Sequence, residues 1–363
     1  MVPLAGGQAG SLRAERPETP AGVPAPDSPS PEKPSPEKPA GSDLPVKAGD
    51  AATKTPAASD RWSALLRRAN CEVRRDVEFA RRDGKPLLAD LYQPPATSST
   101  PANTEPSPAA GPAKPAEEPA AKPVAGELSA TGQRDRRPAV LMIHGGAWMA
   151  GNKAQVAWHA GRLAERGYVV MAIDYRLAPQ HPFPAQRDDC RAALQWLYQR
   201  ADELGVDAQR VAAYGYSAGG HLTCLLAFQE AADQHAPDKS PRLRAIVAGG
   251  VPCGFETLPL DSWRLAFWLG GTRRQRGDVY REACPLSFVS GQCPPAFLFH
   301  GDGDLIVPSG DSERLHERLR DCGVDAQWHL VADAGHLAAY LDEDTFQRSA
   351  EFLDRHLQTT HPE

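Results

Sequence analysis

Short apolar runs recur along the chain, each followed by a polar or glycine-containing step and then by a segment with helical spacing. Cys71 to Phe79 alternates as a half-buried strand does, Arg82-Asp-Gly-Lys85 supplies a turn, and Leu87 to Tyr92 alternates again, so an antiparallel hairpin is expected. Six further runs read as strands: Ala139 to Ile143, Tyr168 to Ile173, Val211 to Gly215, Leu243 to Ala248, Ala296 to His300 and Ala326 to Val331. Helical segments lie between them, carrying Ala160, Leu163 and Ala164, then Cys190, Ala193, Leu194 and Leu197, then a run opening at His221. Two more follow, near Ser312 to Arg320 and up to about Leu357. Apolar strands alternating with helices predict an α/β fold, with a mostly parallel eight-stranded sheet covered by helices on both faces.

The pattern fails in two places, and composition explains both. Of the 35 prolines, 12 lie before residue 60 and 10 more between Pro94 and Pro138. Residues 1–58, with Ser30-Pro-Glu-Lys-Pro34 repeated at Ser35 to Pro39, hold too few apolar side chains to offset the entropy of ordering, so a disordered Pro/Ala-rich tail is expected. Residues 94–137 read as a low-complexity insertion between two strands of one domain, since loop closure costs grow slowly with length. That domain is placed at 59–358, opening with a short helix at Arg61 to Arg68. Within it, 252–295 is irregular around an apolar helical segment, Trp263 to Leu269. Its Trp263, Phe267 and Trp268 suit either a small cap over a site or an ordinary buried helix face.

Charge narrows the partners. A net charge of −6, from 40 basic and 46 acidic residues, offers no basic field for nucleic acid, so a small or neutral substrate fits better. No apolar run reaches the roughly 18 residues a membrane helix needs. The first residues lack the basic start and apolar core of a signal peptide. A cytoplasmic protein is therefore expected, or an exported one if a leader precedes this start. The seven cysteines are odd in number and show no Cys-x-x-Cys spacing, which favours free thiols over a disulfide framework and argues against zinc.

Four motifs, at 144, 217, 304 and 336, each follow directly on a strand, and in a parallel sheet such strand ends share one edge. Gly215-Tyr-Ser217-Ala-Gly219 stands between strand and helix. A turn this tight strains the serine backbone, needs tiny residues two before and two after, and lifts the hydroxyl clear of the sheet. The hydroxyl is a poor nucleophile until an imidazole takes its proton. His336, on a loop after the last strand, can fold over the elbow, although a surface-loop histidine is the plain alternative. The imidazole needs a carboxylate to fix its tautomer, and Asp304 is preferred to Asp302, either of which could instead cap its turn. The order Ser217, Asp304, His336 is the one this triad takes on such a sheet. The N–H after the serine and the side-chain-poor His144-Gly-Gly-Ala147 suit an oxyanion hole. Trp148 either walls a pocket or packs on a helix. Asp174 and Arg176 read as a scaffold ion pair, and His221 as a packed or hydrogen-bonded side chain.

Together these residues resemble the α/β-hydrolase family, and more narrowly its carboxylesterase branch related to bacterial feruloyl and acetylxylan esterases and to the hormone-sensitive-lipase-like group. The resemblance rests on His144-Gly-Gly-Ala-Trp148 with Gly151-Asn-Lys153, Asp174-Tyr-Arg-Leu-Ala-Pro179, Gly215-Tyr-Ser-Ala-Gly-Gly220, His300-Gly-Asp-Gly-Asp-Leu-Ile-Val307 and Gly335-His336. It covers about residues 70 to 357. It implies nucleophile, acid and base roles for Ser217, Asp304 and His336, and oxyanion binding by the N–H groups of Gly146, Ala147 and Ala218. Family members more often carry a third glycine where this chain has Ala147, which still donates its N–H but restricts the backbone. The expected activity is hydrolysis of carboxylic esters of short-chain or aromatic acyl groups through an acyl-enzyme, on a small ester or an acylated carbohydrate. No metal or organic cofactor is required. Activity is expected to fall below about pH 6 to 7, where an ordinary imidazole protonates. Amide hydrolysis on the same scaffold, as in an arylformamidase or peptidase, and a catalytically silent binding module are the alternatives. Oligomeric state stays open.

Overall fold

A computed structural model of the chain describes residues 70–95, 136–232 and 242–358. The expected tail at 1–58, the helix at Arg61 to Arg68 and most of the 94–137 insertion lie outside them. The hairpin forms where the alternation placed it, as β1 (Glu72–Arg82) and β2 (Lys85–Gln93). Its two-residue turn, Asp83-Gly84, has φ of 48° and 73°, the double left-handed geometry whose twist matches the flanking strands.

The remaining strands are β3 (Arg137–Ile143), β4 (Val169–Ile173), β5 (Val206–Tyr216), β6 (Ala245–Gly249), β7 (Ala296–Gly301) and β8 (Ala326–Val331). They form one eight-stranded sheet in the order β1-β2-β4-β3-β5-β6-β7-β8. β2 is antiparallel to both its neighbours, and every other pair is parallel. The mostly parallel eight-stranded sheet expected from the pattern is thus present.

Among the described residues, the helices of nine residues or more are α1 (Ala157–Glu165), α2 (Ala185–Gln199), α3 (Ala218–Ala232), α4 (Ser309–Asp321) and α5 (Glu343–Leu357). Side chains of β3 alternate between two cores. Leu141 and Ile143 belong to the core that also takes in side chains of α2, α3 and α4, whereas Val140 and Met142 belong to the core shared with α1 and α5. Both faces are covered, which is why β3, β4 and β6 are buried along almost their whole length. Each such aliphatic side chain gains about 1.5–3 kcal/mol on burial, set against the chain entropy it gives up.

Topology and register place the site. After β3 the chain goes to one face through α1 and adds β4 outside; after β5 it goes to the other face through α3 and adds β6 on the opposite side. Such a reversal opens a crevice outside the carboxyl ends of the two strands. The ends are level: Ile143 pairs with Gly215, Tyr216 with Gly249, Gly249 with Phe299 and Gly301 with Val331. At the other, amino edge, the last β2 residue paired with β4 is Tyr92, opposite Val170, and the first β3 residue paired with it is Ala139, opposite Val169. The chain therefore leaves Gln93 and returns at Arg137 on the edge away from Ser217.

Boundaries differ at several points, β5 starting at Val206 rather than Val211 among them. α3 starts at Ala218 rather than at His221, His336 opens a one-turn helix (His336–Tyr340) rather than standing on a loop, and the helix expected over Trp263 to Leu269 is only Ala266–Leu269. Within 252–295, Trp268 is buried and Trp263 is 71% exposed, so the aromatic cluster is split between core and solvent.

Candidate active site

Ser217 bridges β5 and α3 as a single residue at φ 58°. For a serine this conformation costs on the order of 1–3 kcal/mol, so the surroundings must impose it. They do so at both ends: the Ser217 N–H donates to Gly249 O at 2.8 Å, and Ser217 O accepts from His221 N at 2.9 Å. The flanking glycines are required by contact. A Cβ on Gly215 would lie 2.2 Å from Gly219 O, and one on Gly219 would lie 2.1 Å from Ile143 O.

The sequence-named partners come together here. His336 Nε2 is 2.9 Å from Ser217 Oγ, and His336 Nδ1 is 2.5 Å from Asp304 Oδ2. The Asp304 side chain is inaccessible to solvent. Burial pushes its carboxyl up, but hydrogen bonds from His336 and from the Val307 and Ile306 N–H groups outweigh this and hold it below the ordinary value. Asp302 points elsewhere, accepting from Ala334 N at 3.3 Å. An ionised Asp304 requires the proton on His336 Nδ1, which leaves the Nε2 lone pair facing the serine hydroxyl.

The loop after β3 closes over the elbow. A Cβ on Gly145 would lie 3.4 Å from Ser217 Cβ, so the two segments are in van der Waals contact. Gly146, Ala147 and Trp148 follow at φ 114°, 52° and 60°. Ala147 thus adopts a left-handed conformation at a cost of roughly 1–2 kcal/mol. The loop is held by Met149 N and Ala150 N on Gly146 O, and by Ala178 N on Trp148 O. The N–H groups of Gly146, Ala147 and Ala218 have no acceptor among the described residues.

Trp148 both packs and lines the site. It is 4% exposed, stacks on Trp268 with ring centroids 3.9 Å apart, and borders a cavity of about 310 Å³ that includes Ser217. Phe255, Leu258 and Leu265 from the 252–295 stretch form another wall, and Ile306 and Val307 a third. Trp148 Nε1 donates to His221 Nδ1 at 3.2 Å, and His221 Nε2 donates to Ala283 O at 2.7 Å. Complete burial pushes His221 down to about 4, so it is a neutral strut beneath Trp148.

Residues 128–319, more than half the chain, match the BD-FAE family model. The chain belongs to the BD-FAE family. It is similar to esterase LipC of Mycobacterium tuberculosis, 30% identical over 218 residues that make up 56% of this chain and 54% of LipC. The chain spans about half the length of the curated relatives it matches. Among solved structures, a truncated carbohydrate esterase from gut microbiota superposes with a TM-score of 0.63 at 20% identity, covering 80% of this chain and 99% of that one. Esterase Est2 of Thermogutta terrifontis superposes with a TM-score of 0.56 at 25% identity, covering 81% and 95%. The likeness to an α/β-hydrolase carboxylesterase read from the motifs is borne out in family and in fold.

This BD-FAE chain also uses Tyr175 and Tyr216, which the motif reading left without a role, and pairs Asp174 and Arg176 with other partners instead of with each other. Tyr175 OH donates to His144 O at 3.0 Å and its ring stacks on His144 at 4.2 Å, so the Asp174-Tyr-Arg motif braces the loop after β3. Asp174 takes the Lys153 N–H at 2.8 Å, and Arg176 forks onto the buried Asp189 at 2.9 Å. Tyr216 OH donates to the backbone carbonyl of His336, and burial next to Asp304 keeps that phenol protonated.

Proposed function

We propose that the protein is a serine carboxylesterase. The observation that carries this reading is the aligned array Asp304 Oδ2, His336 Nδ1, His336 Nε2 and Ser217 Oγ, with steps of 2.5 and 2.9 Å, beside a cavity lined by Ser217, Ala147 and Ala218, the last two with backbone N–H groups that have no acceptor among the described residues. Ser217 Oγ attacks the ester carbonyl as its proton passes to His336 Nε2, and Asp304 stabilises the imidazolium. The N–H groups of Gly146, Ala147 and Ala218 receive the oxyanion. His336 then protonates the departing alcohol, and water, deprotonated by the same nitrogen, releases the acid. The 252–295 stretch acts as a small cap, its Phe255, Leu258 and Leu265 shaping the acyl or alcohol pocket.

The test is turnover of p-nitrophenyl acetate to octanoate, set beside acetylated xylan and methyl ferulate, by wild type and Ser217→Ala, with fluorophosphonate labelling. Turnover and labelling should vanish in the variant. Retained hydrolysis in a folded Ser217→Ala protein refutes the assignment.

A further inference from the structure

His300, near the end of β7, is fully buried and engaged at both ring nitrogens. Its Nε2 lies 3.0 Å from Asp304 Oδ2 and 3.0 Å from Val307 O, its Nδ1 2.8 Å from Ser312 Oγ. A carboxylate and a carbonyl can only accept, so Nε2 must carry the proton. Burial holds the ring's pKa below the ordinary value, and the neutral ring leaves Nδ1 to accept from the Ser312 hydroxyl. Ser312 Oγ in turn accepts from Val251 N at 3.0 Å. Asp304 therefore receives three hydrogen bonds, from His336 Nδ1 on Oδ2 and from Ile306 N at 2.9 Å and Val307 N at 3.0 Å on Oδ1, while the single Nε2 proton of His300, hydrogen-bonded to Val307 O, stands beside Oδ2 as an off-axis contact at 3.0 Å.

We infer that His300 is a positioning residue for the proposed esterase chemistry, its neutral Nε2–H anchored on Val307 O and its dipole set 3.0 Å from Asp304 Oδ2, so that the carboxylate presents a fixed, tempered acceptor to His336. The inference rests on the triad reading above. Without the positive end of the His300 N–H dipole beside it, Oδ2 faces His336 alone, the carboxylate becomes more basic, and it stabilises the His336 imidazolium more strongly. A stabilised imidazolium forms at higher pH, so the acid limb of kcat/KM moves up. The titratable groups facing the pair are His300 on β7, Tyr216 at the end of β5 and Asp302 in the turn after β7, the last engaged by Ala334 N. No lysine or arginine pairs with Asp304 or His336 among the described residues.

The test compares His300→Leu, which fills the space without a donor, with His300→Gln, whose amide N–H2 reaches toward the Nε2 position. Both are assayed on p-nitrophenyl acetate from pH 5 to 9. In His300→Leu, kcat should fall about tenfold with little change in KM, and the acid limb should rise by about half a pH unit. His300→Gln should restore both toward wild type. A Leu variant with wild-type kcat and limb, or a Gln variant as impaired as Leu, overturns the inference. Should the Leu variant not fold, ¹⁵N imidazole spectra of wild type, assigned against His300→Gln, decide. A neutral Nε2–H tautomer across the acid limb supports the role, and a charged ring or an Nδ1–H tautomer defeats it. A wild type that hydrolyses no ester would instead refute the proposed function, leaving the imidazole spectrum to judge His300 alone.

Discussion

Asp304→Asn changes one atom and should silence the enzyme, for a reason visible in the turn after β7. Asp304 Oδ1 accepts the Ile306 and Val307 N–H groups at 2.9 and 3.0 Å, so the asparagine must place its carbonyl oxygen there. Its NH2 then occupies the Oδ2 position, 2.5 Å from His336 Nδ1. Donor would face donor, and His336 relieves this by moving its proton to Nε2. That nitrogen is the one 2.9 Å from Ser217 Oγ, and with a proton on it no base remains for the serine. A fixed wrong tautomer of this kind costs about 10⁴ in kcat, or about 5.4 kcal/mol of transition-state stabilisation at 1.36 kcal/mol per tenfold. KM should change little, because Asp304 does not line the cavity beside Ser217. Initial rates on p-nitrophenyl acetate at pH 7.5, corrected by Ser217→Ala, give the ratio, with circular dichroism to verify the fold. A loss smaller than about tenfold would mean that the amide turns the other way or that His336 is not the base.

Two further outcomes follow from contacts away from the triad. Gly215→Ala puts a methyl 2.2 Å from Gly219 O and 2.6 Å from Thr223 Oγ1, so the strand and helix must part; stability should fall by about 1–3 kcal/mol in urea, with a larger proportional loss of activity, and an unchanged midpoint would contradict the contact. Acid should destabilise the fold through His159 and His221, which burial pushes down to about 3 and about 4. Unfolded, both take up a proton near pH 6.5 while the folded chain does not, so their contribution is complete above pH 6.5 and is lost as pH falls toward 4. Each contributes on the order of 1.4 kcal/mol per pH unit in that window, and equal urea midpoints at pH 7 and pH 5 would refute this.

The strands were legible because two-sided burial leaves runs such as Ala139 to Ile143 without polar interruption. The site was legible because a parallel sheet brings strand ends at 144, 217, 304 and 336 to one edge, whatever their separation in sequence. What sequence reasoning missed depends on contacts the chain does not announce. Ala218-Gly-Gly220 looks like a turn by propensity, yet it is helix, because Gly219 and Gly220 sit too close to Ile143 O and Gly249 O for any side chain. Trp263, Phe267 and Trp268 share an apolar spelling but not an environment, since only Trp268 finds Trp148 to stack on. His300 was read as part of the motif that presents Asp304, although a histidine four residues before an acid, at a strand end, already hinted that the two meet.

The chain leaves β2 at Gln93 and re-enters at Arg137 on the amino edge, with β4 between the two strands. The two ends are thus about 10 Å apart, and about 20 Å of sheet separates them from the serine. A doubling of the intervening length changes closure by roughly 0.6 kcal/mol. The exit and re-entry points form, in effect, a port on the far side of the sheet. Length added there, by evolution or as an engineer's reporter or affinity handle, joins the fold at points remote from the edge where Ser217 stands.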